Sequence, residues 1–296
     1  MRNFTFFILF LVLPGWASAQ WESVYSSYPF NPIAINPANT GSRDVTSMTL
    51  MTRRRSVLFR NTYSSPLFTI DSPVGEKWAL GFQAFKDNYS VAGVGFYGSA
   101  AYRHRFSETV VLAVGAQIGV TQVLPPNTIY GNNVFPFSAG LGIQYRSSRY
   151  SVGLSAQNLV GGTDYYENVR PVFLTGAYLF DLSEDVKLKA AAQARGQQVA
   201  SSFRTHLDLN ATLWYRQLGV GFWYQNTLKT LGGRDGMLAT VELQLGDKFR
   251  VGGSYDFNAK TEASTGLNSS ESTLWQLFLR FEFDRGTGKV GQMRYF

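Results

Sequence analysis

Apolar and polar residues alternate with a period of two along most of the chain after about residue 45. In one such segment, small or polar residues occupy every second position, and the positions between them carry Val110, Leu112, Val114, Ala116, Ile118 and Val120. Successive side chains of a β-strand point to opposite faces, so this period predicts strands with one apolar and one polar face. After the first 20 positions no run of about 18 apolar residues occurs, which argues against a membrane-spanning helix.

About fourteen such segments follow one another. The predicted strands span residues 47–56, 58–70, 77–87, 93–106, 109–122, 134–146, 150–158, 171–181, 185–198, 203–216, 217–228, 236–246, 248–259 and 273–283. Tight turns are predicted at 147–149 and 246–248, and the predicted long loops are 123–133, 159–170, 229–235 and 260–272. Because consecutive antiparallel strands reverse direction, we expect all four long loops on one side of the sheet.

Composition and strand ends distinguish between two β architectures, since a soluble sandwich also alternates. Charged residues make up 16% of the chain, against a usual share of about 25%. Aromatic residues often end the apolar faces, as in the girdles of membrane barrels; examples are Phe203, Tyr215, Phe249 and Phe257. The sequence therefore predicts an all-β chain that forms a transmembrane antiparallel up-and-down β-barrel of about 14 strands over residues 45–283.

The two ends of the chain lack the strand pattern. Residues 1–19 are predicted to be a cleaved signal peptide, because a basic residue precedes a short apolar run and a small-residue cleavage site. Residues 20–44 form a segment rich in Tyr, Pro and Asn, and residues 284–296 form a polar tail. Both are expected to lie outside the barrel.

Charge and cysteine content exclude several classes of function. The chain has 27 basic and 20 acidic residues and a net charge of +7, but no basic cluster accompanies a nucleic-acid-binding motif. No nucleic acid partner is expected; the basic groups are expected to meet lipid phosphates or acidic partners. The absence of cysteine excludes disulfides and thiol catalysis. The run 53–55 (RRR) indicates either a membrane boundary, where charge costs about 0–1 kcal/mol, or an acidic docking site.

Candidate catalytic chemistry is sparse. In the predicted strands, His104 lies on the apolar face, whereas His206 lies on the polar face together with Asp208. Two serines at 201–202 precede His206, but this spacing matches no hydrolase motif. Residues 286–289 (GTGK) lack the full spacing of a phosphate loop. We therefore predict no catalytic, cofactor-binding or metal-binding residues and do not expect an enzyme; a barrel lipase that uses His206 is the enzymatic alternative.

One N-terminal motif is distinctive. Residues 28–41 are YPFNPIAINPANTG; each Asn-Pro pair restricts the asparagine to extended geometry, and the closing glycine permits a turn. This segment resembles the start of the PorP/SprF family of outer-membrane proteins of the type IX secretion and gliding-motility machinery. Residues 153–159 (GLSAQNL), 175–178 (TGAY) and 208–211 (DLNA) resemble strands of the same family.

The resemblance implies a location in the bacterial outer membrane, in contact with its lipid, and a role as an accessory component of type IX secretion. Such a protein would bind other type IX secretion or gliding proteins, or the C-terminal domain of a secreted or surface-tethered substrate such as a gliding adhesin. No cofactor is implied. The residues expected to bind a partner are Tyr28, Phe30, Asn31, Pro32, Asn36 and Pro37.

A passive outer-membrane channel for a small or hydrophobic solute is the alternative, because a barrel of this size can enclose a cavity. Charged residues with lumen parity either form ion pairs that plug the barrel or line a pore, and the sequence does not distinguish the two. These residues are Arg204, Asp208, Arg216, Glu242, Arg280 and Glu282.

Overall fold

The computed structural model describes residues 30–57, 63–86, 92–123, 134–160, 170–199, 202–227, 235–257, 272–283 and Tyr295. Fourteen antiparallel strands close into one up-and-down barrel, which confirms the predicted fold and strand count. The strands are β1 (Thr46–Val57), β2 (Tyr63–Val74), β3 (Trp78–Lys86), β4 (Ala92–Arg105), β5 (Val111–Val123), β6 (Phe137–Arg146), β7 (Tyr150–Val160), β8 (Val172–Asp181), β9 (Val186–Val199), β10 (Ser202–Tyr215), β11 (Leu218–Thr227), β12 (Asp235–Leu245), β13 (Phe249–Asp256) and β14 (Ser272–Phe283). The predicted signal peptide lies outside the described residues.

The barrel closes along the seam between its first and last strands. There β1 pairs with β14 over its whole length, from Thr46 opposite Phe283 to Val57 opposite Ser272. Every strand is therefore paired on both sides. Lipid offers no hydrogen-bonding partners, so closure satisfies backbone groups that an open sheet edge would leave exposed. None of the helices in the described part of the chain is long and apolar enough to cross a membrane.

The connections differ in length at the two ends of the barrel. At one end, which we call the turn end, short connections join strands at residues 75–77, 106–110, 147–149, 182–185, 216–217 and 246–248. The other end, the loop end, carries all four predicted long loops, as expected, although most of their residues lie outside the described ranges. In bacterial outer-membrane barrels the short turns face the periplasm, which assigns the turn end to that side.

The predicted parity of the strands is confirmed. Val114, Ile118 and Leu141 face outward and are 52%, 58% and 55% exposed, whereas Gln117 and Gln144 face inward and are buried. The outward face is the surface that lipid covers, so apolar side chains are stable there without a protein partner.

Outward-facing aromatic pairs surround the turn end, as the sequence predicts for a girdle. The Trp78 and Tyr102 rings lie 5.1 Å apart, and the Phe249 and Phe281 rings lie 4.5 Å apart. His104 faces outward beside Phe106, as its parity predicts. At the loop end, Arg54 is exposed with its guanidinium carbon 5.7 Å from the Trp275 ring centroid, which supports the membrane-boundary interpretation of the run 53–55.

The outward parity generates a stability prediction. Leu141→Arg places a charge midway along β6, where it should cost about 2–4 kcal/mol in a bilayer. The matched change Phe137→Arg, at the loop end of the same outward face, should cost only about 0–1 kcal/mol. Urea unfolding in lipid vesicles measures both changes, and equal losses at the two positions would contradict the membrane position assigned to β6.

Candidate functional site

Residues 30–44, which we call the plug, lie inside the barrel. They hydrogen-bond to inward-facing side chains of five strands, β2, β4, β6, β7 and β14. The sequence correctly predicted that this segment does not form a strand, but the expectation that it lies outside the barrel is corrected here. Alternation shows which side chains face inward, but it carries no information about what fills the interior.

The two Asn-Pro pairs start two short 3₁₀ turns, Pro32–Ala34 and Pro37–Asn39. Proline suits the first position of a helical turn, because its fixed φ is already helical and the first N–H has no partner within the turn. Asn36 is extended, with φ −140° and ψ 107°, as the following proline predicts. Its Oδ1 accepts a hydrogen bond from the Ala38 backbone N–H at 3.0 Å, which caps the second turn.

The centre of the plug is fixed to β6 and β7. Asn36 Nδ2 donates to the Ile143 carbonyl at 3.1 Å and to Gln144 Oε1 at 3.3 Å. The Ile35 carbonyl accepts from Ser155 Oγ and from Gln157 Nε2, both at 2.6 Å. The plug lacks long regular structure, so these bonds satisfy buried backbone and amide groups that would otherwise be costly.

A charged network holds the plug at the turn end. The Gly41 N–H donates to Asp71 Oδ2 at 2.8 Å, and Arg103 Nη1 donates to the Gly41 carbonyl at 2.6 Å. Asp44 pairs with Arg103 at 2.7 Å and also with Arg105. Buried charges are tolerated only when they are paired and hydrogen-bonded, so plug and barrel wall stabilise each other's ionised groups.

The start of the plug packs into an apolar cluster. The Phe30 ring stacks on Phe278 with centroids 4.5 Å apart, and the Phe30 carbonyl accepts a hydrogen bond from Arg280. The cluster comprises Phe30, Ala34, Ile35, Met51, Leu67, Phe85, Tyr97, Phe173 and Phe278. The lumen thus contains a small core, whereas the sequence predicted a polar lumen.

Two inward-facing glycines make room for the plug. A Cβ on Gly115 would overlap the backbone of Pro37 and Ala38, and a Cβ on Gly142 would overlap the Asn36 amide. The close approach of plug and wall therefore requires glycine at these two positions of β5 and β6.

A cavity of about 130 Å³ lies beside the plug, against strands β6 to β14. Its lining includes the cations Arg43, Arg146, Lys189, Arg250 and Arg280. Glu242 is the carboxylate in this lining, and Trp214, Trp223 and Asn210 add aromatic and amide groups. The cavity is therefore a cationic and aromatic space in the part of the lumen near the turn end, which we call the turn-end cavity.

Tyr295 of the C-terminal tail also lines the turn-end cavity. Its carbonyl accepts a hydrogen bond from Lys189 Nζ at 3.0 Å, and its ring lies 5.6 Å from the Trp214 ring in an edge-on arrangement. Burial raises the pKa of the Tyr295 phenol above its ordinary value. The expectation that the tail lies outside the barrel is corrected for this residue; the rest of the tail is outside the described residues.

The predicted partner-binding residues occupy the interior of the barrel. Phe30, Asn31, Asn36 and Pro37 are at most 3% exposed, and Pro32 is half-buried at the edge of the turn-end cavity. Tyr28 lies outside the described residues. In the structure these side chains contact the barrel itself, a role that the sequence pattern did not indicate.

Of the six predicted lumen charges, Arg204 has no described side chain, and most of the others lie inside the barrel. Glu242, Arg280 and Glu282 face the lumen as expected, and Glu282 lies 3.8 Å from Arg43 of the plug. Arg216 is a correction: it lies in the turn 216–217, is exposed and pairs with Asp185 at 3.1 Å. The alternation of β10 ends at Tyr215, and the chain reverses direction at Arg216, so the predicted lumen parity does not apply to Arg216.

The two histidines lie on opposite faces of the wall. His104 is outside, and His206 is buried in the lumen. Within the described ranges, no three His, Cys, Asp or Glu side chains gather as a metal site would require. The serines at 201–202, which a lipase would need, fall where no side chain is described.

Comparison with known proteins identifies relatives. Residues 17–281 match the family model described as type IX secretion system membrane protein PorP/SprF. A search of curated protein sequences gives no match.

Solved structures that resemble this chain have low sequence identity to it. The Acinetobacter baumannii outer membrane protein Omp33 has a TM-score of 0.51 at 9% identity, covering 81% of this chain and 99% of that chain. A Pseudomonas aeruginosa FadL homologue has a TM-score of 0.48 at 11% identity, covering 87% and 94%. The KdgM porin in complex with disordered oligogalacturonate has a TM-score of 0.41 at 9% identity, covering 80% and 99%. The likeness to Omp33 concerns the fold alone.

The fit of the plug generates a second prediction. Gly115→Ala introduces a Cβ that overlaps plug backbone, so the plug must shift at a cost of about 1–3 kcal/mol. Gly98→Ala, on the neighbouring strand, has nothing within 4 Å of its Cβ and should be nearly neutral. Tryptic cleavage after Arg43, which is buried in the native barrel, measures plug release and should accelerate only in Gly115→Ala. Equal cleavage of the two variants would contradict the placement of the plug.

Proposed function

This chain belongs to the PorP/SprF family of type IX secretion system membrane proteins, and we propose that within that system it is an accessory component that acts by binding. Its ligands would be proteins of the secretion or gliding machinery, or the C-terminal domain of a secreted or surface-tethered substrate such as a gliding adhesin. The chain is a barrel of the bacterial outer membrane. Such a barrel supplies a rigid scaffold with one face toward the periplasm and one toward the outside.

The family match is the observation that carries this proposal, since it spans the plug and nearly all of the barrel. The plug adds a physical argument. A channel gains from an open lumen, whereas here a segment fixed to five strands occupies part of it. A lumen that holds such a bonded segment favours a binding scaffold over a passive pore. The proposed mechanism makes and breaks no covalent bond.

The Asn-Pro segment contributes to the proposed partner binding in two ways. Asn36 and Pro37 are buried and therefore act on a partner through the shape they give to the lumen. Pro32 borders the turn-end cavity and is the member of the motif best placed to touch a ligand directly. Partner binding through this segment would thus depend on the plug remaining seated.

Affinity purification in native detergent tests the proposal. We expect type IX secretion or gliding proteins, or a substrate's C-terminal domain, to copurify with the wild-type barrel. The variant Gly115→Ala should copurify less of the partner, because its plug is displaced, while Gly98→Ala should behave like wild type.

Planar-bilayer recordings test the channel alternative with the same variants. Wild-type barrels should show little steady conductance, and plug displacement in Gly115→Ala should raise it. A wild-type barrel that purifies alone and conducts steadily would overturn the binding proposal in favour of a channel. Esterase activity that is lost in His206→Ala would instead favour a lipase.

A further inference from the structure

The turn-end cavity has an excess of positive charge. Among the described residues, five cationic side chains and one carboxylate line it, which leaves a formal surplus of four positive charges (5 − 1). A second carboxylate, Glu282, lies 3.8 Å from Arg43 and lowers the local surplus by one. Because the interior of a barrel screens charge less than bulk water does, such a surplus attracts anionic groups.

Lys189 is the cation of this cavity with the simplest surroundings. It faces inward from β9 and is partly buried, and its Nζ donates to the Tyr295 carbonyl at 3.0 Å. Within the described ranges, the ion pairs formed by lumen residues do not include one at Lys189. An ammonium group bonded to a neutral carbonyl can gain from a carboxylate in its place.

Trp214 carries an unsatisfied donor beside the same space. Its ring lines the cavity and is 1% exposed, and its Nε1 has no acceptor in the part of the chain that the structure describes. Buried indole N–H groups usually have a hydrogen-bond partner. A carboxylate bound to Lys189 would therefore lie in the same cavity as the Trp214 ring.

The chain's own tail shows what kind of group the site accepts. Tyr295 offers a backbone carbonyl to Lys189 and an aromatic ring to the edge of Trp214. Lys187 Nζ lies 6.0 Å from the centroid of the same ring, within the range of a cation–π interaction. The site thus holds a polypeptide segment through one backbone carbonyl and one aromatic side chain.

We propose that the turn-end cavity is a binding site for an acidic polypeptide segment that carries an aromatic residue, and that Tyr295 competes for the same place. The ligand enters from the periplasmic side, where the turn end lies. The remaining space, about 130 Å³, corresponds to roughly four water molecules and admits one or two side chains rather than a folded domain. The inference rests on the proposed function only for the source of the segment, a partner in secretion.

Fluorescence anisotropy with the purified full chain in detergent tests this inference. The probe is a labelled peptide of four glutamates around one tyrosine, and its control has glutamine in place of each glutamate. We expect the acidic peptide to bind at least tenfold more tightly than the control. Binding should weaken as salt increases, because the attraction is largely between charges.

Variants of the chain locate the site. Lys189→Met should weaken binding of the acidic peptide about tenfold, while Lys189→Arg, which keeps the charge, should restore most of it. Tyr295→Ala should tighten binding several-fold, because it removes the competing ring. Lys77→Met, in the exposed turn 75–77, removes the same charge away from the cavity and should have no effect.

Three results would overturn the inference. The first is equal binding of the two peptides, and the second is unchanged peptide affinity in Lys189→Met when its heat-modified gel mobility shows a folded barrel. The third is full displacement of the peptide by millimolar inorganic phosphate, which would indicate a simple anion site. Failure here is distinguishable from failure of the proposed function, because copurification of secretion proteins with the wild-type barrel does not require the peptide to bind.

Discussion

The hydrogen-bonding demand of the backbone in lipid is the constraint on which the rest of this structure depends. Every strand has to be paired on both sides, so the sheet closes through β1 and β14 into a ring of fourteen strands. Closure divides the side chains into a face against lipid and a face against an enclosed space. The alternation of apolar and polar residues along the sequence follows directly from that division. The enclosed space then has to be filled by protein or by water.

The plug fills part of that space, and its polar groups form hydrogen bonds with those of the barrel wall. Its irregular backbone offers carbonyls at Phe30, Gly41 and Ser42, and these accept hydrogen bonds from Arg280, Arg103 and Arg146 respectively. The barrel wall thereby satisfies backbone groups that no regular structure serves. The plug in turn gives neutral acceptors to guanidinium groups that would otherwise lack hydrogen-bond partners in a poorly solvated interior.

The sequence predicted the wall far better than its contents. Strand parity follows from a period of exactly two, so the outward position of residues such as Leu141 could be predicted locally. The plug is held by contacts between residues far apart in the chain, such as Asn36 with Ile143 and Phe30 with Arg280, and no local pattern encodes them. The Asn-Pro motif did mark the segment as distinctive. Its residues were expected to face a partner because a polar, proline-rich segment without alternation looks the same in sequence whether it is buried or exposed.

Arg280 contacts both the strand pair that closes the barrel and the plug inside it. Its Nε donates to Thr49 Oγ1 across the β1–β14 seam at 3.1 Å, and its Nη2 donates to the carbonyl of Phe30. The plug is continuous with β1, so the enclosed segment is attached to one of the two strands that form the closing seam. One guanidinium therefore bridges both the closing strand pair and the enclosed segment. Closure of the barrel and placement of the plug therefore share one residue, in addition to the other bonds that hold each of them.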